Sequence, residues 1–200
     1  MNLIENTKKT KSIINLYKKK SYKVVLAHGT FDLLHVGHIK HLKFAKKFGE
    51  KLIVSITADK YVKKGHGRPY FKEIFRKEML ESLEFVDYVF IVNHPSALPA
   101  IRIVKPDFYL KGEEYKDNSK DITNKIKKEK LEVKKYKGKI IYSNEITYSS
   151  SNLINNYFEN FSKELKDKIQ IIKKKNIIKK ILNNLSNIRD KKILLIGETI

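Results

Sequence analysis

Short runs of apolar, largely β-branched residues alternate along this chain with segments whose apolar residues recur at helical spacing. The run YKVVLAHG ends in glycine, and the segment GHIKHLKFAKKFG that follows has a helical pattern up to Gly49, which we interpret as the glycine that ends a helix. The next run, EKLIVSITAD, is continuously apolar, as expected of a strand buried on both faces of a parallel sheet. The chain therefore begins with a strand-helix-strand unit.

The same alternation continues through most of the remaining sequence. After the glycine-containing loop KYVKKGHGRPYF, helices are predicted at EIFRKEMLESLEFV and PSALPAIRIVKP, and strands at DYVFIVN, DFYLKG and GKIIYS. The segment SSSNLINNYFENF is predicted to open a helix behind a serine cap. These units predict an α/β fold, a Rossmann-like parallel sheet with helices on both faces, over residues 22–160, after an N-terminal helical extension at 1–21.

Composition limits the class of protein. With 200 residues, of which 41% are hydrophobic, the chain can bury one core. It has no apolar run of about 18 residues, and the opening MNLIENTKKTKSIINLYKKK lacks the apolar centre of a signal peptide. The absence of cysteine excludes disulfides and thiolate metal ligands and agrees with a reducing compartment. We expect a cytoplasmic protein with no stable membrane insertion.

The formal charge of +21 would suit a nucleic acid, because clustered Lys and Arg displace the counterions of phosphates. Lysine is, however, spread over the whole chain together with many Asn and Ile, which indicates a general compositional bias. The sequence has no recognisable motif for reading DNA or RNA. No nucleic-acid partner is predicted.

Four of the six histidines fall where the first strand passes into the first helix, in HGTFDLLHVGHIKH. Open α/β sheets bind ligands outside the carboxyl ends of their strands, and a helix N-terminus offers N–H groups and a positive dipole to a phosphate. Gly29 would let the backbone approach the ligand, and Gly37 would leave room at the helix start. His35 and His38 could then donate to the same phosphoryl oxygens. The cluster predicts a phosphate site.

Two other interpretations of the histidines stay open. Histidines are more often surface residues or hydrogen-bonded core residues than ligands. Candidates of that kind are His28, His41, His66 and His94. A zinc site is the second alternative, because His35 and His38 are three residues apart, but apart from Asp32 no nearby carboxylate and no cysteine completes it. We predict no protein-bound metal.

The stretch GTFDLLHVGH resembles the signature of the HxGH nucleotidyltransferase superfamily, which includes glycerol-3-phosphate and choline-phosphate cytidylyltransferases and heptose 1-phosphate adenylyltransferases. GRPYFKEIFRKEMLESLEFVDYVF is similar to a segment in which the heptose and glycerol enzymes carry an arginine before a helix ending in Val-Asp. VKPDFYLKGEEY resembles a strand and loop of the heptose enzymes, and ITYSSSNLINNYF matches the superfamily's Ser/Thr-rich turn. The likeness covers about residues 22–158.

The resemblance implies that a nucleoside triphosphate, with Mg²⁺ as cofactor, reacts with a phosphorylated sugar or polyol to give pyrophosphate and a nucleoside diphosphate product. His35 and His38 would stabilise charge on the α-phosphate during in-line attack. The acceptor phosphate is already ionised, so no general base is needed and positioning carries much of the catalysis. Gly29, Thr30 and Phe31 would line the triphosphate.

Further site residues follow from the same resemblance. Arg76 and either Lys63 or Lys64 would clamp the leaving pyrophosphate or the acceptor phosphate, although a solvated charge is the alternative for any single lysine. Asp32 would be either a structural carboxylate or part of the Mg²⁺ environment on the same side. Five more residues are assigned to the nucleotide. They are Lys111 and Gly112 at the end of the predicted strand DFYLKG, and Ser149, Ser150 and Ser151 in the Ser/Thr turn. For the serines, plain helix capping is an equal alternative.

The identity of the nucleotide follows from one absence. Many cytidylyltransferases carry an arginine shortly before their Ser/Thr turn, and YSNEITYSSS has none. Together with the KGEEY loop, this favours ATP and a heptose-like or other sugar 1-phosphate, as in the synthesis of surface polysaccharide precursors. CTP with glycerol phosphate is the alternative, and a binding module without turnover is the second. The resemblance also implies a homodimer.

The C-terminal sequence fits poorly with a finished single domain. Apolar residues recur at helical spacing over 161–190, which predicts an amphipathic helical linker, and its excess of lysine would suit either solvent or an anionic membrane surface. The closing KKILLIGETI, at 191–200, resembles the first strand of ribokinase-type sugar kinases. We expect a bifunctional protein in which a kinase-like second domain follows this one.

Overall fold

The computed structural model of the chain describes residues 4, 6–65, 67–116, 125–144, 167–168, 171 and 180–184. The chain divides into two compact units, Met1–Leu153 and Ile154–Ile200. The predicted linker and kinase-like segment fall mostly outside the described residues, and those described within 161–190 are helical. No helix in the described part is both long and apolar enough to span a membrane.

The described part of the first unit alternates strands and helices as the sequence predicts. Its α-helices are α1 (Thr7–Lys19), α2 (Val36–Lys46), α3 (Glu73–Glu81), α4 (Leu98–Val104) and α5 (Lys125–Lys135). Its strands are β1 (Val24–Gly29), β2 (Lys51–Thr57), β3 (Tyr88–Val92), β4 (Phe108–Gly112) and β5 (Lys139–Ser143). All four neighbouring strand pairs are parallel, and the strand order is β3-β2-β1-β4-β5. The predicted Rossmann-like fold is therefore confirmed.

The sheet separates two apolar cores because successive strand residues point to opposite faces. In β1, Val25 and Ala27 pack with residues of α2 and α3, whereas Val24 and Leu26 pack with residues of α1, α4 and α5. These four side chains of β1 are each at most 1% exposed. A strand buried on both faces explains the unbroken apolar runs that predicted the fold.

Three local predictions differ from the structure. Helix α3 ends at Glu81, five residues before the predicted end, since the Ser82 hydroxyl donates to the Met79 carbonyl and the backbone continues in tight turns. Helix α5 was not predicted, because lysines surround its few apolar residues. Gly49 does not end α2, whose last residue is Lys46. A Cβ at Gly49 would lie 2.5 Å from the Lys23 carbonyl oxygen, so close backbone packing explains this glycine.

The predicted N-terminal helical extension is present as α1, which packs on the sheet. Ile14 on its inner face is 2% exposed and belongs to the core on that side. Just before the helix, Ile4 forms an isolated antiparallel bridge with Val92 at the end of β3. The extension is thus part of the α/β unit.

Candidate active site

The candidate site lies at the carboxyl ends of β1 and β4, next to each other at the centre of the sheet. The chain leaves β1 toward the face that carries α2, and the helices α4 and α5 around β4 cover the opposite face. The connections therefore diverge between these two strands, which opens a crevice at their carboxyl ends. The sequence places the histidine-rich segment after β1 and Lys111 and Gly112 at the end of β4.

His35 caps helix α2 and presents one unused ring nitrogen. Its Nδ1 accepts a hydrogen bond of 3.1 Å from the Gly37 N–H, so the neutral ring carries its proton on Nε2. That Nε2 is buried and has no hydrogen-bond partner. Burial also lowers the pKa of His35, which keeps the ring neutral near pH 7. His35 therefore offers a fixed N–H donor to a ligand.

His38 lies one turn further along α2 and faces His35. The two ring centroids are 3.9 Å apart, and the edge of the His38 ring meets Phe31, with 5.1 Å between centroids. Burial, followed by the positive fields of His35, His41 and Lys64, lowers the pKa of His38 to about 3, although a hydrogen bond with the Leu33 backbone opposes the shift. Its Nδ1 is buried without a partner. Both predicted catalytic histidines thus hold an unsatisfied polar atom at one helix start.

The loop after β1 is shaped by an aromatic ring. Phe31 has a positive φ of 48° and is 6% exposed, and a Cβ on Gly29 would come within 3.0 Å of its ring. In this structure Gly29 therefore makes room for Phe31, where the sequence prediction assigned that space to a phosphate. Thr30 contributes its carbonyl oxygen to Arg76. Contacts of these three residues with a triphosphate stay a prediction.

The guanidinium of Arg76, predicted to clamp a phosphate, donates four hydrogen bonds within the protein. The side chain is fully buried on α3. Its guanidinium donates to the Phe71 carbonyl at 3.0 Å, to the Thr57 carbonyl at 2.8 Å, to an Asp59 carboxylate oxygen at 2.6 Å, and to the Thr30 carbonyl. These contacts join the ends of β1 and β2 to the loop before α3. These contacts support a structural role for Arg76, and the predicted clamp role stays a prediction.

Asp32 anchors the loop that precedes α3. The carboxylate is fully buried and accepts hydrogen bonds from the Tyr70 N–H at 2.6 Å, the Phe71 N–H at 3.2 Å and Arg68 Nε at 2.6 Å. Of the two predicted roles, these contacts support the structural one, and a role on the acceptor or Mg²⁺ side stays a prediction.

Arg68 was not assigned from the sequence, although it lies in the glycine-containing loop GHGRPYF. Its side chain is 7% exposed, and its NH2 nitrogen is buried without a partner. The sequence did single out this position, because Arg68 stands between a glycine and a proline, and proline restricts the backbone of the residue before it. Nothing in the sequence, however, distinguished it from Arg76.

Lys63 and Lys64 lie on the same loop. Desolvation lowers the pKa of Lys64, followed by the charge of Arg68, while Asp32 acts in the opposite direction. The charge of Lys64 therefore interacts with those of Arg68 and Asp32. Of the two predicted lysines, Lys64 is the one whose charge lowers the pKa of His38. A phosphate contact by either lysine stays a prediction.

Lys111 is held by a buried carboxylate on α5. Its Nζ lies 2.8 Å from Glu129 Oε2 and over the rings of Tyr109 and Tyr115. Glu129 is 4% exposed and also accepts from the Ala97 N–H and the Tyr109 hydroxyl, each at 3.0 Å. Burial raises the pKa of Glu129, but Lys111, the charge of His28 and the hydrogen bond from the Ala97 N–H outweigh it and hold the pKa below its ordinary value. The predicted contacts of Lys111 and Gly112 with the nucleotide stay predictions.

Three other histidines have protein partners, as the structural alternative proposed. His28 Nδ1 lies 2.9 Å from the Ser55 hydroxyl, His41 Nδ1 contacts the Ser143 hydroxyl, and His94 Nδ1 lies 3.0 Å from the Ser96 hydroxyl. Burial, followed by the charge of Lys111, lowers the pKa of His28 and that of His41 to about 4. His66 and the predicted serines Ser149, Ser150 and Ser151 lie outside the described residues.

The chain is similar to proteins described as bifunctional. Bifunctional protein HldE from Campylobacter jejuni subsp. doylei is 41% identical over 133 residues, which are 62% of this chain and 29% of the relative. Bifunctional protein HldE from Nitratiruptor sp. is 44% identical over 100 residues, covering 49% of this chain and 22% of the relative. The chain therefore spans less than a third of the length of these curated relatives.

Solved structures resemble the same region. The lipopolysaccharide core biosynthesis protein from Thermoplasma volcanium is 30% identical, with a TM-score of 0.50, and the match covers 62% of this chain and 98% of that one. Pantoate-beta-alanine ligase from Francisella tularensis shares the fold at 18% identity and a TM-score of 0.51. The family model described as cytidylyltransferase-like matches residues 26–156, which include the sheet and the histidine-rich turn. The predicted nucleotidyltransferase family is confirmed: the chain belongs to the cytidylyltransferase-like family.

Proposed function

We propose that this chain catalyses nucleotidyl transfer from ATP to a phosphorylated sugar, releasing pyrophosphate and forming a nucleoside diphosphate sugar. The observation that carries the proposal is the pair of buried, unpartnered nitrogen atoms, His35 Nε2 and His38 Nδ1, side by side at the start of α2. A buried polar atom without a partner costs free energy, so two of them at one crevice favour a ligand that accepts hydrogen bonds. A phosphate at a helix N-terminus has that chemistry.

The histidines act on the α-phosphate by donating hydrogen bonds. The proton of His35 is on Nε2, so this ring donates in its neutral form. In His38 the hydrogen bond with the Leu33 backbone holds the proton of the neutral ring on the nitrogen other than Nδ1, so Nδ1 donates when a bound phosphate favours the protonated ring. Both donors are fixed by the protein, so they stabilise charge that grows on the phosphoryl oxygens during in-line attack without reorganising. The acceptor attacks through a phosphate oxygen that is ionised at neutral pH, so no side chain has to remove a proton.

The described residues do not form a cage for Mg²⁺. No group of three or more His, Asp or Glu side chains in the described part of the chain could hold a metal, and both oxygens of Asp32 accept hydrogen bonds from the protein. We therefore propose that Mg²⁺ accompanies the nucleotide and is held mainly by its phosphates. No step of the mechanism is assigned to it.

The cytoplasm is the proposed location, and the name of one relative supports a place in surface polysaccharide synthesis. One solved relative is described as a lipopolysaccharide core biosynthesis protein, and the curated relatives are described as bifunctional. A sugar 1-phosphate is accordingly the proposed acceptor, and a second, kinase-like activity and a homodimer are proposed for the full protein. CTP and glycerol phosphate are the alternative pair, supported by the cytidylyltransferase-like family description.

The test is release of pyrophosphate from ATP or CTP, each paired with several sugar 1-phosphates or with glycerol 3-phosphate. For the active pair, His35→Ala and His38→Ala are expected to lower kcat by about 100-fold or more, with a smaller change in nucleotide affinity. Near-normal turnover in both variants would contradict the mechanism. Absence of turnover by the unmodified chain with every pair would favour a nucleotide-binding module.

His35→Asn is the matched control for folding. His35 caps α2, and Asn is a good helix cap, so this variant should recover the thermal stability that His35→Ala loses. It lacks the Nε2 donor, and its kcat should stay low. Recovery of kcat along with stability would show that His35 acts through the helix cap alone.

A further inference from the structure

The described part of the chain has three buried side-chain nitrogen atoms without a hydrogen-bond partner: His35 Nε2, His38 Nδ1 and Arg68 NH2. The proposed mechanism uses the two histidines and leaves the guanidinium nitrogen unexplained. Arg68 belongs to the loop between β2 and α3, which follows the strand next to β1 at the same edge of the sheet. A ligand at the histidines would therefore be close to this loop.

Arg68 is held in a fixed position by one side of its guanidinium. Nε donates to Asp32 at 2.6 Å, and Asp32 is fully buried and also accepts the N–H groups of Tyr70 and Phe71. Asp32 itself lies between β1 and the histidines of α2, so the ion pair ties Arg68 to the histidine-rich turn. A guanidinium that is anchored through Nε and has no hydrogen-bond partner at NH2 is preorganised to donate to a second anion.

The surroundings of Arg68 are positive. Desolvation, followed by the charges of Arg68 and Arg76, lowers the pKa of Lys64 against the opposing charge of Asp32, and the charge of Lys64 adds to the larger effects of burial and the neighbouring histidines on the pKa of His38. The positive charges of this loop therefore also act on the histidines. The described carboxylates that pair with the two arginines, Asp32 and Asp59, already accept hydrogen bonds from them. A further anion would therefore be attracted to the open guanidinium.

We propose that Arg68 NH2 is a substrate contact that donates to a phosphoryl oxygen of the bound reactants, with the ammonium of Lys64 nearby. The inference rests on the proposed function, because it places the phosphate next to the one held by His35 and His38. The phosphoryl group belongs either to the triphosphate tail of the nucleotide or to the phosphate of the acceptor. Both present the same oxygens to a guanidinium.

The test is calorimetric titration of the full chain with inorganic triphosphate in one arm and glycerol 3-phosphate in the other. Arg68→Lys is the main variant, since lysine can keep the ion pair with Asp32 but has no second nitrogen. It should bind one of the two probes about 10-fold or more weakly, as expected for a lost charge-assisted hydrogen bond, and the affected probe identifies the phosphate. The matched control is Arg102→Ala on α4, where the arginine side chain is 58% exposed, and it should bind both probes within about twofold of the unmodified chain.

The inference is overturned if Arg68→Lys binds both probes as tightly as the unmodified chain, or if the unmodified chain binds neither. Arg68→Gln, which retains an N–H group for Asp32, is the second variant if the lysine variant does not fold. Binding needs no turnover, so an Arg68-dependent probe in a chain that transfers no nucleotide would refute the proposed function and retain this contact. Turnover by the unmodified chain, together with probe binding that does not depend on Arg68, would support the proposed function and refute this contact.

Discussion

Replacement of Arg76 by alanine distinguishes a structural arginine from a phosphate clamp. The substitution removes the donors to three backbone carbonyls, those of Phe71, Thr57 and Thr30, and to Asp59. An unsatisfied buried acceptor costs about 1 to 3 kcal/mol. Three such carbonyls at the lower limit already amount to about 3 kcal/mol, and the space left by a fully buried side chain adds to that loss. Typical domains unfold with only about 5 to 15 kcal/mol, so the loss is large.

Urea denaturation followed by circular dichroism measures this effect through the midpoint and the slope of unfolding. The expected result is a free energy of unfolding lower by about 3 kcal/mol or more in Arg76→Ala. The control Arg102→Ala removes the same charge from an exposed ion pair and should cost about 1 kcal/mol or less. If Arg76→Ala is within about 1 kcal/mol of the unmodified chain yet binds pyrophosphate poorly, Arg76 is a clamp and the structural argument is refuted.

Two further predictions concern stability. Because the pKa of His41 falls from 6.5 to about 4 on folding, the unfolded chain binds more protons between these values, so stability falls as pH decreases through this range. His41→Gln should flatten that dependence by up to about 1.4 kcal/mol per pH unit in urea denaturation from pH 7 to 4.5, and an unchanged slope would contradict the assignment. Gly138→Ala would place a Cβ 2.3 Å from the Pro106 carbonyl oxygen, and should cost about 1 to 3 kcal/mol in the same assay. An unfolding midpoint equal to that of the unmodified chain would show that the backbone there gives way.

The sequence by itself determined the strands and the position of His35 and His38, the proposed catalytic pair. A strand covered on both faces needs a nearly continuous run of apolar side chains, and β1, β2 and β3 each contain one. His35 and His38 were predictable because they follow a strand and begin a helix, which places them at the edge of the sheet where ligands bind. Both properties are local, since they depend on residues adjacent in the chain.

Only the tertiary structure decided which of two arginines keeps a nitrogen without a partner. Arg68 and Arg76 are the same residue type in one short segment, but the carbonyls and the carboxylate that occupy Arg76 come from β1, β2 and the following loops. Helix α5 was missed because lysines surround its few apolar residues, and its inner face also carries a charge, the buried Glu129, which pairs with Lys111 of β4. Hydrogen-bond satisfaction is a property of groups distant in sequence and close in space, so a linear pattern cannot show which polar atoms remain for a substrate.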